Sequence, residues 1–244
     1  VAAAVKLHRH IGRRRAASFL AEGPNLVQAA LRRGLVSEVF ATESALSRFG
    51  AMLTGAPVQL VTERAAKALS DTVTPVGLVA VCSVPSMALA DVVAGGPQLV
   101  AVAVDISEPG NAGTLIRVAD AMAADAVVLA GHSVDPYNGK CLRASAGSIF
   151  SIPVVAEPDA AQAVTALTDA GLQVLATTVD GEVSLDDAAL DAPTAWLFGA
   201  EAHGLPTDLA AAATHRIRIP MPGNAESLNV AAAAAICLYQ SARL

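Results

Sequence analysis

Apolar positions along this 244-residue chain fall into short β-rich runs alternating with longer stretches of helical spacing. Ser18–Ala21 reads as a short strand. Gly23-Pro24-Asn25 then opens a helix reaching about Arg33, with Gly34 as its stop; proline suits a first helical turn and glycine the position past the last. Val36–Ala41 and Val58–Val61 read as further strands, with helices over residues 43–54 and 62–69, and Val76–Val81 is another β-rich run. Pro85, Gly95, Gly96 and Pro97 interrupt Ser83–Gln98, which predicts a boundary between domains at residues 1–90 and 98–244. Beyond it, Leu99–Ile106 and Ala126–Ala130 are continuous apolar runs, the pattern of parallel strands buried on both faces. Helices are expected from about Ala112 to Ala124, over Asn138–Ser145 and over Asp159–Ala170, and a terminal one over Glu226–Ala242. Ile152–Val155, Gln173–Thr177, Ala195–Phe198 and Arg216–Ile219 complete the strands. The alternation predicts an α/β fold.

Composition narrows the class. With 54% hydrophobic and 16% charged residues the chain is not disordered. A mean hydropathy of +0.51 raises the question of a membrane. No apolar run approaches the ~18 residues of a spanning helix, and alanine runs such as Ala231–Ala235 inflate the figure. No apolar stretch follows the basic residues of the N-terminus, so a secretory leader is not expected there. Three scattered cysteines (Cys82, Cys141, Cys237) form no Cys-x-x-Cys pair and suit a reducing, cytoplasmic setting. Five scattered histidines lack metal-ligand spacing, so no metal is expected.

The net charge of −6 is unevenly spread. Residues 1–97 hold ten basic against six acidic residues, or +4; residues 98–244 hold six against sixteen, or −10. An acidic total argues against nucleic acid, but a basic first part leaves it open. Arg13, Arg14 and Arg15 form the densest basic cluster, read either as an RNA contact or as a solvated helix face.

There is no phosphate-cradling Gly-x-x-x-x-Gly-Lys loop, no Gly-x-Gly-x-x-Gly after a strand and no Gly-x-Ser-x-Gly elbow. Three polar, glycine-bearing segments remain, each at the C-terminal end of a buried strand, where open α/β sheets place ligands. The first runs from Asp105 to Arg117. Asn111 could cap the helix and Gly113 could serve close packing, whereas Arg117, in an otherwise apolar helix, must snorkel, pair or serve a site. The second is Gly199-Ala-Glu201-Ala-His-Gly204-Leu205, in which Gly199 permits close backbone approach and Glu201 supplies an acceptor. The third, Ile219 to Ala231, carries Met221, Ser227, Leu228 and Asn229; asparagine has poor propensity inside a helix, and the extended loop before it suits an adenosine-like ligand.

In order and spacing these segments resemble the motifs Asn-x-Gly-x-x-x-Arg, Gly-x-Glu-x-x-Gly-Leu and Ile-Pro-Met-x-Gly-x-x-x-Ser-Leu-Asn-Val-Ala of the SpoU (TrmH-like) RNA ribose methyltransferases of the SPOUT superfamily. Asn138 to Gly147 is similar to the family's Lys-x-x-Arg-Ala-Ser segment, and Phe19 to Leu31 resembles the small ribosomal-protein-like α/β RNA-binding domain often fused ahead of it. The resemblance implies a trefoil-knotted methyltransferase domain, a homodimer, and S-adenosylmethionine held by Thr177, Gly199, Ile219, Met221 and Leu228. It implies a reaction site of Asn111, Arg117, Glu201, Ser227 and Asn229; RNA contacts are expected from the basic cluster Arg13, Arg14 and Arg15 and from Arg143. The implied activity is methyl transfer to a ribose 2′-hydroxyl of structured RNA, ribosomal RNA favoured over transfer RNA. A tRNA methyltransferase, or a non-catalytic RNA-binding factor retaining the fold, is the alternative.

Overall fold

The computed structural model describes residues 1–243. The N-terminal part runs α1 (Ala2–Val5), α2 (His10–Ala16), β1 (Ser18–Glu22), α3 (Pro24–Arg32), β2 (Val36–Ala41), α4 (Glu43–Phe49), β3 (Val58–Leu60), α5 (Glu63–Leu69) and β4 (Leu78–Ser83). Its strands form a four-stranded sheet in the order β1-β4-β2-β3; β4 is antiparallel to β1 and β2, while β2 and β3 are parallel. Thr42 and Thr62 cap α4 and α5, their hydroxyls accepting from the backbone N–H of Ala45 and Ala65.

The remainder runs α6 (Leu89–Ala94), β5 (Leu99–Val104), α7 (Pro109–Ala121), β6 (Ala126–Ala130), α8 (Gly139–Ser145), β7 (Val154–Glu157), α9 (Ala160–Asp169), β8 (Gln173–Thr177), β9 (Val183–Ser184), β10 (Thr194–Phe198), α10 (Thr207–Ala212), β11 (His215–Arg218) and α11 (Val230–Ala242). Seven strands in the order β7-β6-β5-β10-β8-β11-β9 pair in parallel throughout. Every residue of β5, β6 and β10 is buried; β5 and β6 are unbroken apolar runs, and in β10 the hydroxyl of the buried Thr194 donates to the Ala192 carbonyl. Alternation along the strands sorts the core into two layers. Ala101, Ala103, Val127, Leu129, Trp196 and Phe198 pack with α7, α8 and α11. Val100, Val102, Val104, Val128, Ala195 and Leu197 face α6, α9 and α10.

The first layer is continuous with the N-terminal sheet: Phe19 on β1 lies against Tyr137, ring centroids 4.7 Å apart, and stacks on Phe150 at 6.1 Å. The interface is also tied by charge. Arg143 on α8 bonds Asp71 and lies 3.9 Å from Glu22, which in turn accepts the hydroxyls of Ser70 and Thr72.

Several sequence-based expectations shift. Residues 83–98 are not a plain linker: α6 forms there because Leu89 and Val92, three apart, bury into the second core while the Asp91 carboxylate accepts the Ala88 N–H at 2.8 Å. The short elements α10 and β9 were not expected. The strand near residue 152 begins after Pro153, at Val154. The terminal helix begins at Val230 rather than Glu226, and α7 starts at Pro109, capped by Glu108 rather than Asn111. Arg13 does not belong to a solvated cluster. It is buried, its Nε and Nη2 meeting Asp135 Oδ2 at 2.7 Å and its Nη1 donating to the carbonyls of Leu7 and His8 at 3.0 Å. Its guanidinium is consumed inside the chain, and an RNA contact from it is withdrawn; Arg14 and Arg15 are exposed. Arg143 is likewise tied to Asp71 across the interface rather than free for RNA.

Candidate functional site

The chain leaves β5 toward β6 and β7 on one side, whereas β10 and β8 lie on the other. The loops after β5 and β10 therefore meet at a topological switch point, beyond the C-terminal ends of two neighbouring strands. The β5 loop turns at Asp105, a non-glycine residue with φ of 56° whose carboxylate accepts the His132 N–H at 2.7 Å. Ser133 Oγ, which accepts from Ile106 N–H at 3.0 Å, pins the same loop before α7 begins.

Gly113 sits in α7 where that helix crosses α8. A β-carbon there would lie 2.6 Å from the Ala144 β-carbon and against the Cys141 carbonyl, so this glycine serves close packing. In the second segment the chain folds back on itself: Gly204 N–H donates to the Ala200 carbonyl at 2.7 Å and Gly204 has φ of +67°. A β-carbon on Gly199 would overlap the Gly204 backbone, so the loop closes only with glycine at 199.

Asn229 is not inside a helix but at the N-cap of α11. Its Oδ1 accepts from Ala231 and Ala232 N–H at 2.9 and 3.4 Å. Its Nδ2 donates to Asn111 Oδ1 at 3.1 Å and to Glu201. Two donors and two accepting directions are the capacity of an asparagine amide, so Asn229 is fully used. One side chain thereby caps the last helix and joins the three segments, and the strong preference of asparagine for caps removes the conflict its sequence position posed. The Nδ2 of Asn111 and the second carboxylate oxygen of Glu201 carry no hydrogen bond among the described residues.

Beside this cluster lies a cavity of about 390 Å³. Thr177, Gly199, Ile219, Met221 and Leu228 line it, as do Glu201 and Ser227. Thr177 Oγ1 is already engaged, donating to the Leu197 carbonyl at 2.8 Å. Its neighbour Thr178, missed from the sequence, also lines the cavity, and its buried hydroxyl has no hydrogen-bond partner among the described residues. An orphaned buried hydroxyl beside apolar walls suits a ligand offering both apolar surface and hydrogen-bonding groups. The signal for Thr178 was its place one residue past a strand's C-terminal end.

Arg117 is not part of this constellation within one chain. It lies six residues beyond Asn111, roughly 9 Å along the helix axis, on the exposed face of α7, and does not line the cavity. It makes no hydrogen bond or ion pair among the described residues. Nearer the helix start, Lys140 pairs with the capping Glu108; its hydrogen bond and charge lower the Glu108 pKa. Cys82, Cys141 and Cys237 are all buried, and burial pushes each thiol up to about 12, which makes them poor nucleophiles. Among the described residues no cluster of His, Cys, Asp or Glu could hold a metal ion, and no helix is long and apolar enough to cross a membrane.

The SpoU rRNA Methylase family model matches residues 98–239, the span that contains all three segments and the cavity. The chain belongs to the SpoU family. A second model, the MRM3-like substrate binding domain, matches residues 1–80. Among SpoU relatives, the 23S rRNA guanosine 2′-O-methyltransferase RlmP of Bacillus subtilis is 36% identical over 236 residues, covering 96% of this chain and 92% of the relative. An AdoMet-bound rRNA methyltransferase from Sinorhizobium meliloti superposes with a TM-score of 0.88 at 30% identity, covering 99% of this chain and 93% of that one. The SpoU methyltransferase AviRb from Streptomyces viridochromogenes, solved with AdoMet, gives 0.88 at 29% identity, covering 99% and 95%. The resemblance drawn from the motifs thus extends over both parts of the chain.

Proposed function

We propose that this chain methylates a ribose 2′-hydroxyl of ribosomal RNA with S-adenosylmethionine as donor. The observation that carries this reading is the cavity at the strand ends with Asn229 holding Asn111 and Glu201 beside it. The names of the relatives, rRNA methyltransferases matched along nearly the whole chain, favour rRNA over tRNA.

Thr177, Gly199, Ile219, Met221 and Leu228 are the residues to hold the cofactor, with Thr178 giving its free hydroxyl. Bound there, S-adenosylmethionine supplies an electrophilic methyl on a sulfonium. The protein's part is then to align the ribose oxygen and to remove its proton. Asn229, locked by four hydrogen bonds, fixes Asn111 and Glu201; the free amide of Asn111 and Ser227 orient the ribose, and the open oxygen of Glu201 or an RNA phosphate takes the proton. Arginine stays protonated in proteins; because Arg117 stands apart from the cluster within one chain, it reaches the reaction only if the dimer brings it to a second copy's cluster, where a planar cation would orient a phosphate and stabilise developing alkoxide charge.

The remaining parts of the reading concern architecture. Residues 1–90 serve as the RNA-binding unit, with Arg14 and Arg15 as exposed cations, and residues 98–244 as a trefoil-knotted catalytic unit. The protein acts as a cytoplasmic homodimer. Support for the dimer comes from α11, which exposes Ile236 (39%) and Tyr239 (55%) three residues apart on one face.

The test is to map 2′-O-methyl sites in total RNA with and without the gene. Loss of one rRNA site is expected, and no lost site would overturn the reading. In vitro, Arg117→Ala should keep cofactor affinity while turnover falls by ~10² or more; near-normal turnover would remove Arg117 from the mechanism. Arg117→Lys should restore little if the planar fork is what matters.

A further inference from the structure

A second cleft, of about 300 Å³, lies at the seam between the two sheets, away from the cavity just described. Its lining comes from the C-terminal end of α3 (Arg32, Arg33), the segment after β4 (Pro85, Met87), Tyr137, and the chain from Ile149 into β7. Two features set it apart from the other interdomain cavity, with which it shares Tyr137. That other cavity holds Arg13 and Arg143 together with Glu22 and Asp71, and its charges are compensated within the chain. Here Arg32 and Arg33 stand side by side, exposed, with no carboxylate partner among the described residues. Behind them the wall is apolar and aromatic: Phe150 is buried in the core, and Met87 is 44% exposed. The Tyr137 hydroxyl makes no hydrogen bond among the described residues, and burial, with the nearby Asp135 charge, raises its pKa, which keeps it protonated and able to donate.

Two exposed guanidiniums without a carboxylate partner, lining an apolar slot, call for a ligand with anionic and flat apolar parts together. We propose that this cleft receives an unpaired nucleotide of the substrate RNA. The base enters against Met87 and Tyr137, and the flanking phosphates lie on Arg32 and Arg33. Sequence-specific RNA recognition works on unstacked bases of this kind, through aromatic stacking and hydrogen bonds to base edges. The placement is compatible with the reaction site. Helix α8 starts near it, where Lys140 pairs with Glu108 three residues before Asn111, and runs seven residues toward Phe150. That helix spans ~10 Å, and Phe150 in the cleft wall follows its last residue, Ser145, by five positions. A nucleotide anchored here would fix which ribose reaches Asn111 and Glu201, making the cleft a specificity site. The inference rests on the methyl-transfer reading above.

The experiment uses the full chain and a 23S rRNA transcript carrying 4-thiouridine. Irradiation should crosslink RNA to the peptides containing Met87 and Tyr137. The double variant Arg32→Ala/Arg33→Ala, both exposed, should fold as wild type. It should raise the RNA Kd about tenfold and flatten the salt dependence by about 1 to 1.5 in log–log slope, the loss of two single-strand phosphate contacts. Met87→Glu should abolish the crosslink and weaken binding, whereas Arg48→Ala, an exposed arginine elsewhere, should change neither. Calorimetric affinity for S-adenosylmethionine should be the same in all variants. If RNA affinity and salt slope stay within twofold in the double variant while wild-type protein methylates the transcript, the cleft is not an RNA site and the methyl-transfer reading stands. Weaker binding in the double variant with wild-type crosslinks and affinity in Met87→Glu would mean a surface patch, and would equally overturn the slot. A wild-type chain that neither binds cofactor nor methylates RNA would instead fail the underlying reading.

Discussion

The buried pair between Arg13 and Asp135 makes the sharpest stability prediction. The two residues are 122 positions apart, and their side chains are 6% and 18% exposed. Arg13→Ala removes the counter-charge of Asp135 and leaves the carbonyls of Leu7 and His8 without their side-chain donor. Breaking one side of a buried ion pair costs ~3–5 kcal/mol. Because water still reaches part of Asp135, the lower end, about 3 kcal/mol, is expected. With a urea m value of about 3 kcal/mol/M, at the upper end for small proteins, the unfolding midpoint should fall by about 1 M. Urea titrations followed by Trp196 fluorescence and by far-ultraviolet circular dichroism measure it, the first reporting the parallel sheet and the second the whole chain. Arg14→Ala and Arg15→Ala, both exposed, should stay within about 0.5 kcal/mol. A cycle adding Asp135→Asn should give a coupling of at least about 1 kcal/mol. If Arg13→Ala falls within 0.5 kcal/mol of wild type, the pair does not clamp the interface. The same result would return Arg13 to the pool of RNA contacts. If the prediction holds, RNA-binding tests on this helix must use Arg14 and Arg15 alone, since neutralising all three confuses unfolding with lost affinity.

Other consequences follow from single contacts. Gly199→Ala, whose β-carbon meets the Gly204 backbone, should weaken S-adenosylmethionine binding at least tenfold by calorimetry; unchanged affinity would mean the loop opens without harm to the cavity. Gly113→Ala should lower stability by ~1–3 kcal/mol through overpacking of α7 on α8, read by denaturation. Asn229→Ala should lose both activity and ~1 kcal/mol of capping, whereas Asn229→Asp should keep the cap but lose activity by setting a carboxylate against Glu201. The three thiols, buried and with pKa near 12, should resist a disulfide reagent at pH 8 in the native protein and react together on unfolding.

The sequence disclosed those parts of the molecule whose physics is local. Unbroken apolar runs identified β5 and β6, since a strand covered on both faces has no polar side to show. The three polar segments stood out for the complementary reason: packing alone does not explain Glu201 or Asn229, although β11, ahead of the third, buries only Ile217 rather than the whole strand expected. Where two local roles compete, the sequence was ambiguous. Asn229 looked misplaced in a helix that in fact begins one residue later, and its cap role is visible only with the start of α11 fixed. The pairing of Arg13 with Asp135, and of Arg143 with Asp71, was out of reach, because distant charges carry no periodicity. Three adjacent arginines looked equivalent, and only the docking of α2 against the segment before α8 separates the buried one from its exposed neighbours.

That docking has a consequence for how the two parts of the chain work together. Asp135 lies in the segment that also contains His132 and Ser133, and both bond the loop after β5. The same Asp135 accepts the Tyr137 N–H at 2.9 Å with the oxygen that Arg13 leaves free. A continuous set of bonds therefore runs from α2 through residues 132–137 to Asp105 and Ile106, and on to the start of α7, where Asn111 meets Asn229. The N-terminal part is thus fastened through the segment that fixes one wall of the reaction cluster, and Tyr137 in that segment lines the proposed nucleotide cleft. Stiffness of this kind favours a preformed site: in the proposed reading, the distance between a nucleotide anchored in the cleft and a ribose presented to Glu201 would be set by packed side chains rather than by a flexible tether. Loosening the Arg13 pair should then blur the choice of methylated position before it abolishes turnover, a pattern that a merely destabilised enzyme would not show.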